Sequence, residues 1–275
     1  MSTHEFEWKA GDGLKIYAQA WETDAQPKAV ISLVHGLGEH SGRYAWVAET
    51  LNQGGYAVIA SDLRGHGQSG GKRGHSPSFN AFMDDIAVLL SETAARYPGL
   101  PCFLWGHSLG GLLVSNYILR RKPQLKGVVI TSPGFRTAVA DQKMKIRLAS
   151  ILGKLLPEMS MPTGLDAKLI SRDPAVVERY VKDPLVHSTA TLAMAKYTVE
   201  AIPYVYEHAG EWLLPLLLMH GDADALAYVS GSEQLASLIK QDCTLKIWPG
   251  LWHETHNEPE KEQVLAYALG WLDSQ

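Results

Sequence analysis

Apolar runs of strand length alternate with helix-like segments over most of this chain, and this alternation constrains the fold most. The continuous apolar runs cover residues 29–36, 56–62, 101–105, 127–133, 214–221 and 244–248. Helical patterns lie between or after them, at residues 43–52, 78–97, 109–121, 230–240 and 260–272. Such runs indicate strands buried on both faces of a parallel sheet. Residues 14–21 alternate polar with apolar and predict an antiparallel edge strand. We therefore predict an α/β fold with a mostly parallel sheet flanked by helices.

The alternation stops between residues 134 and 210. This stretch has helical periodicity and several prolines but no convincing strand, and the strand pattern resumes after it. A helical block inserted there is expected to lie over the carboxyl ends of the strands, where open α/β sheets bind ligands. We predict a core made of residues 1–133 and 211–275, with residues 134–210 as an inserted helical lid.

Composition argues against several classes of partner. Net charge is -4, so no basic surface is expected and no nucleic-acid partner is predicted. The first residues lack the apolar stretch of a signal peptide, and the longest apolar run, residues 212–219, is too short to cross a bilayer. We expect a cytoplasmic protein that is at most peripheral to a membrane. Cys102 and Cys243 are too few for a disulfide framework and are expected to be buried free thiols.

The strongest local motif is Gly-His-Ser-Leu-Gly-Gly at residues 106–111. It follows a predicted buried strand and opens a predicted helix, which is the setting of the G-x-S-x-G nucleophile elbow. Gly106 and Gly110 permit the tight turn, and the helix N-terminus favours negative charge near the serine. A serine that merely caps a helix would give similar letters, but this context favours a nucleophile. We predict that Ser108 is the nucleophile.

A serine nucleophile needs a base that is distant in sequence and near in space. In α/β-hydrolases the order is serine, acid, histidine. The loop after the last predicted strand holds His253 and His256, and His253, which comes first, is the predicted base. Asp222 and Asp224 follow an earlier strand. Asp224 clears the sheet edge and is favoured as the acid, whereas Asp222 would more readily bond loop backbone.

Neither a metal ion nor another cofactor is expected. The two histidines are three residues apart, and the metalloprotease motif needs them four apart. Acyl transfer also requires donors for the oxyanion. The backbone N–H of Leu109 supplies one, and we assign Leu37, in the glycine-containing loop at residues 35–44, as the other. A plain glycine turn is the alternative for this loop.

Several segments together resemble the monoacylglycerol lipases and the related lysophospholipases: HGLGEHSGRY, SDLRGHGQSGG, YPGLPCFLWGHSLGG, ITSP, GDAD and WHETHNE. The resemblance extends from about residue 21 to about residue 271. It implies an α/β-hydrolase fold and hydrolysis of a single-chain lipid ester through an acyl-enzyme. It places the nucleophile, acid, base and two oxyanion donors at Ser108, Asp224, His253, Leu37 and Leu109. It also places the polar residues around the glycerol at Glu39, Arg43 and His256.

The resemblance leaves alternatives for function. The family usually has an arginine and then a second acidic residue after the catalytic acid, but residues 225–228 here are Ala-Leu-Ala-Tyr. A monoacylglycerol lipase releasing fatty acid and glycerol is the expected function. A lysophospholipase or a broad carboxylesterase would use the same catalytic residues. A non-catalytic binding protein on this fold would be expected to lack triad members, and none is lost.

The role of Glu39 and Arg43 also has an alternative. Instead of binding the glycerol, these two residues would form an ordinary surface ion pair.

Residues 144–156 predict an amphipathic helix in the lid. Its apolar face consists of Met144, Leu148, Ile151, Leu152 and Leu155. Positive charges on its other faces come from Lys145, Arg147 and Lys154. The ordinary interpretation is that the apolar face packs on the core. The alternative is that Ile151 and its neighbours line an acyl tunnel and make transient contact with a membrane or micelle surface.

Overall fold

The structure, a computed structural model, describes residues 2–137 and 155–275. Eight strands form one sheet: β1 (Ser2–Lys9), β2 (Lys15–Glu22), β3 (Ala29–Val34), β4 (Tyr56–Ser61), β5 (Cys102–His107), β6 (Gly127–Thr131), β9 (Leu216–Gly221) and β10 (Cys243–Trp248). Their order is β1-β2-β4-β3-β5-β6-β9-β10. From β4 to β10 all neighbouring strands are parallel, while β1 and β2 are antiparallel to each other and β2 to β4. The predicted mostly parallel sheet is confirmed.

Helices cover both faces of the sheet. The described helices are α1 (Ala45–Gln53), α2 (Phe79–Arg96), α3 (Leu109–Arg121), α4 (Pro174–Lys182), α5 (Leu192–His208), α6 (Val229–Leu238) and α7 (Lys261–Asp273). Side chains of α1 and α7 pack with one face of the strands, and those of α2, α3 and α6 with the other. Because both faces are covered, the central strands are buried along their whole length. This explains why they appear in the sequence as continuous apolar runs.

The first strand was not predicted. Strand β1 pairs with β2 along its full length, yet most of its residues are exposed. Phe6 and Trp8 alternate with polar residues and pack partly buried against the core, but an alternation of two apolar residues is too short to predict a strand. Cys102 and Cys243 are free thiols as predicted, although both are only partly buried.

The chain between β6 and β9 departs from an all-helical insertion. Two short strands, β7 (Ser160–Pro162) and β8 (Thr189–Thr191), pair antiparallel within it, so the expectation of no strand there was wrong. Helix α5 packs against α3, and its Ala201 and Val205 belong to the core. Part of the predicted lid therefore completes the core. Most of the predicted helix at 144–156, including Ile151, lies outside the described residues.

No described helix has both the length and the apolar character needed to span a membrane. The loops that follow β3, β5, β9 and β10 all lie at the carboxyl edge of the parallel strands. These four loops carry the predicted donors, nucleophile, acid and base.

Candidate active site

Ser108 occupies the sharp turn between β5 and α3. Its φ of 52° lies in the left-handed region, which is strained for a residue with a side chain. The turn depends on glycines: a Cβ at Gly110 would lie 2.1 Å from the carbonyl oxygen of Val34, and one at Gly106 would lie 2.6 Å from that of Gly110. The flanking glycines thus let the turn pack against β3.

Three predicted residues are brought together at the sheet edge. Ser108 Oγ lies 2.9 Å from His253 Nε2, and His253 Nδ1 lies 2.7 Å from Asp224 Oδ2. Because the carboxylate can only accept, Nδ1 carries the proton, and Nε2 is then free to accept the serine proton. This is the geometry required of a nucleophile, a base and the group that orients the base.

Asp224, rather than Asp222, faces His253. The backbone N–H groups of Leu226 and Ala227 donate to Asp224 Oδ1 at 2.8 and 2.9 Å, which fixes the carboxylate. Asp222 is exposed and accepts a hydrogen bond from the N–H of Gly250 at 2.6 Å. It ties the loop after β9 to the loop after β10, as expected for the alternative role considered for it.

His220 is a site residue that the sequence analysis missed. Its Nε2 lies 3.2 Å from Asp224 Oδ2 and 2.8 Å from the carbonyl oxygen of Ala227. Both neighbours accept, so Nε2 carries the proton, and Nδ1 accepts from the hydroxyl of Ser232 at 2.7 Å. His220 therefore gives Asp224 a second side-chain donor. The signal was a single histidine within the apolar strand before the acid.

Electrostatic interactions shift the pKa values of both His253 and Asp224. Burial disfavours the charged form of each group and is the largest influence on both pKa values. Their mutual attraction and hydrogen bond overcome it, helped at Asp224 by the hydrogen bond from His220. The pKa of Asp224 is consequently lowered and that of His253 raised. Asp224 stays ionised at neutral pH and stabilises protonated His253.

The backbone around Ser108 also provides donors. The N–H groups of Leu37 and Leu109 have no protein acceptor within residues 2–137 and 155–275, and both residues line the cavity at Ser108. The loop carrying Leu37 comes close to the nucleophile, since a Cβ at Gly36 would lie 3.2 Å from Ser108 Cβ. Glu39 Oε1 accepts from the N–H of Gly36 at 2.7 Å and so holds this loop.

A buried ion cluster joins the loop after β3 to the loop after β10. Arg43 donates to Glu39 at 2.5 Å and, through two nitrogens, to both oxygens of Glu254 at 2.7 Å. The side chains of Glu39, Arg43 and Glu254 are 4%, 10% and 3% exposed. The alternative of an ordinary surface pair is therefore wrong. Glu254 was missed because its partner lies 211 residues away in the chain.

The polar residues predicted around a glycerol occupy two layers. Glu39 lines the cavity, together with Glu254 and Tyr180. His256 is buried and the side chain of Arg43 is 10% exposed, and neither residue is among the described lining residues. His256 stacks on Tyr44 with ring centroids 5.1 Å apart, and burial lowers its pKa to about 4. Both therefore act on a ligand in this arrangement only through their neighbours.

The cavity above Ser108 opens to solvent. Away from the polar wall its described lining is mostly apolar, with contributions from Leu112, Leu165, Ala167, Ile170 and Leu226. Such a site suits a small molecule with an apolar chain and one reactive polar group. Among the residues that the structure describes, no group of His, Cys, Asp and Glu is arranged to hold a metal ion.

Comparisons with known proteins find hydrolases that are similar to this chain over most of its length. The profile of the serine aminopeptidase S33 family of hydrolases matches residues 25–260. A monoacylglycerol lipase of Mycolicibacterium smegmatis is 37% identical over 264 residues, covering 95% of this chain and 94% of that protein. An abhydrolase domain-containing protein of Dictyostelium discoideum is also 37% identical, over 92% of this chain but 27% of its own length. The crystal structure of a Paleococcus ferrophilus monoacylglycerol lipase superposes with a TM-score of 0.87 at 37% identity, covering 94% of this chain and 98% of that one.

Proposed function

We propose that this chain, which belongs to the serine aminopeptidase S33 family of hydrolases, is a serine ester hydrolase that cleaves monoacylglycerols to fatty acid and glycerol. The observation that carries the proposal is the hydrogen-bonded series Ser108–His253–Asp224, whose Ser108 and His253 line a mostly apolar cavity. The similarity to monoacylglycerol lipases over nearly the whole chain supports this substrate class.

In the proposed mechanism Ser108 attacks the ester carbonyl while His253 takes its proton. The N–H groups of Leu37 and Leu109 hold the oxyanion as negative charge develops. His253 then protonates the departing glycerol oxygen, and water hydrolyses the acyl-enzyme by the same route in reverse. Asp224 keeps His253 in the required tautomer and stabilises its protonated form.

We further propose that the segment inserted between β6 and β9 acts as a lid and touches the lipid surface that holds the substrate. The exposed apolar side chains of its described part include Leu155, Leu156, Met159, Met161 and Leu165. Leu165 also lines the cavity. An exposed apolar group beside an active-site opening suits contact with a micelle or membrane.

A substrate panel tests the function. Purified protein is assayed with 1-oleoylglycerol, oleoyl lysophosphatidylcholine and p-nitrophenyl butyrate, with Ser108→Ala as the control. We expect the highest kcat/KM among the lipids for 1-oleoylglycerol and no activity in the control. Preference for the lysophospholipid would instead indicate a lysophospholipase, and preference for the small ester alone a carboxylesterase.

A further inference from the structure

The cluster of Glu39, Arg43 and Glu254 holds two carboxylates and one guanidinium. Burial opposes the charges of Arg43 and Glu254, but the ion pair between them prevails. Attraction to Arg43 lowers the pKa of Glu254 to about 2, and the two carboxylates raise the pKa of Arg43 well above its ordinary value. With two carboxylates and one guanidinium, the cluster carries one surplus negative charge.

This surplus charge faces the cavity. Glu39 and Glu254 line it, while Arg43 lies behind them with its guanidinium 4.6 Å from the ring centroid of Tyr180. Within the described part of the chain no lysine or arginine lines the cavity. Burial keeps His107, also in the wall, neutral by holding its pKa well below the ordinary value. An anion entering here therefore meets a carboxylate wall, and no lysine or arginine among the described lining residues offers it a cationic partner.

The negative charge of the cluster lies next to the residue that protonates the leaving group. His253 must protonate the departing oxygen, so the alcohol part of the ester lies on the side of His253. Glu254 is the next residue in the chain and lines the same cavity. The apolar lining residues, such as Leu112 and Leu226, are left for the acyl part.

We propose that the Glu39–Arg43–Glu254 cluster selects for esters of uncharged alcohols and excludes those whose alcohol carries a phosphate. This selection rests on the ester-hydrolase function proposed above and narrows its substrates to neutral glycerides rather than anionic lysophospholipids. Two like charges about 7 Å apart at an effective dielectric constant of about 20 disfavour each other by roughly 50-fold in an equilibrium. Discrimination of at least this order is expected.

The test uses two short esters, which dissolve as monomers and so avoid any effect of a lipid surface. These are 1-butyrylglycerol and 1-butyrylglycerol 3-phosphate. The wild-type protein is expected to show a kcat/KM at least about 50-fold higher for the neutral ester. Glu254→Gln removes the surplus charge with little change in shape, and this ratio should fall by about tenfold or more. Glu39→Gln should also lower this ratio, and it replaces Glu254→Gln in the test if that variant does not fold.

Glu258→Gln is the matched control. Glu258 lies in the same loop and is buried, but it bonds the backbone N–H and side chain of Arg172 and does not line the cavity. The ratio of kcat/KM between the two esters should stay at the wild-type value in this variant. Equal losses on both esters in Glu254→Gln would show that the cluster only positions its loops, and similar wild-type rates on both would equally overturn the proposal. Hydrolysis of p-nitrophenyl butyrate but of neither glycerol ester would instead refute the proposed monoacylglycerol function.

Discussion

Replacing His220 by leucine tests how Asp224 is held. The imidazole donates to the same carboxylate oxygen that receives His253 Nδ1. A hydrogen bond to a charged group contributes about 1.5–3 kcal/mol. The contribution of the His220–Asp224 hydrogen bond should lie near the lower end of this range, because the bond is 3.2 Å long and its donor also bonds the carbonyl oxygen of Ala227. The carboxylate that loses it becomes more basic and stabilises protonated His253 more strongly, so the pKa of His253 rises further.

The sign of the pH effect follows from the role of His253 as base. His253 must be neutral to accept the serine proton, so a higher pKa moves the acid limb of kcat/KM to higher pH. We expect a displacement of up to about one pH unit, since 1.36 kcal/mol corresponds to one unit. Leucine also leaves the hydroxyl of Ser232 and the carbonyl of Ala227 unpaired, so stability should fall by about 1–3 kcal/mol.

The assay is the pH profile of ester hydrolysis, measured beside thermal unfolding. His220→Gln is the matched variant, because glutamine can place an N–H near the position of Nε2. It should restore the acid limb to the wild-type pH. The reasoning is refuted if the acid limb of His220→Leu coincides with that of the wild type, or if both variants displace it equally.

Three further results are expected. Asp224→Asn should reduce turnover by about ten-thousandfold, the penalty in a related triad, while Asp222→Asn should stay within about tenfold of wild type; a deeper loss at Asp222 would contradict the assignment. Arg43→Ala leaves two buried carboxylates unpaired and should lower the free energy of unfolding by about 3–5 kcal/mol in denaturant titrations; an unchanged value would refute the buried cluster. The lowered pKa of His256, about 4, predicts stability that is complete above pH 6.5 and falls by up to about 3 kcal/mol toward pH 4. His256→Gln should weaken this acid dependence, and an identical slope would count against it.

How much the sequence predicts depends on how local the signal is. The parallel strands were predicted because burial on both faces demands an apolar residue at every position. Ser108 and its glycines were predicted because one tight turn imposes steric requirements on adjacent residues. Strand β1 was not predicted because its alternation consists of only two apolar residues, Phe6 and Trp8, in an otherwise exposed strand.

The polar framework of the site was harder to predict because its partners are far apart in sequence. His220 lies in an apolar strand and has the appearance of an ordinary core residue until the fold brings it to Asp224. The role of Glu254 becomes visible only through its ion pair with Arg43, which lies 211 residues earlier in the chain. The predicted glycerol-side set separated into Glu39 in the wall and Arg43 and His256 behind it, because residue spacing does not reveal which side of a loop faces a cavity.

Labelling with a fluorophosphonate, followed by peptide mass spectrometry, tests the central claim most directly. This reagent reacts with an activated serine in a competent oxyanion site. The account predicts one modified residue, Ser108, in the wild-type protein, with no label in Ser108→Ala and a large loss of labelling rate in His253→Ala. A label on another serine, or hydrolysis by Ser108→Ala within tenfold of the parent, would contradict it.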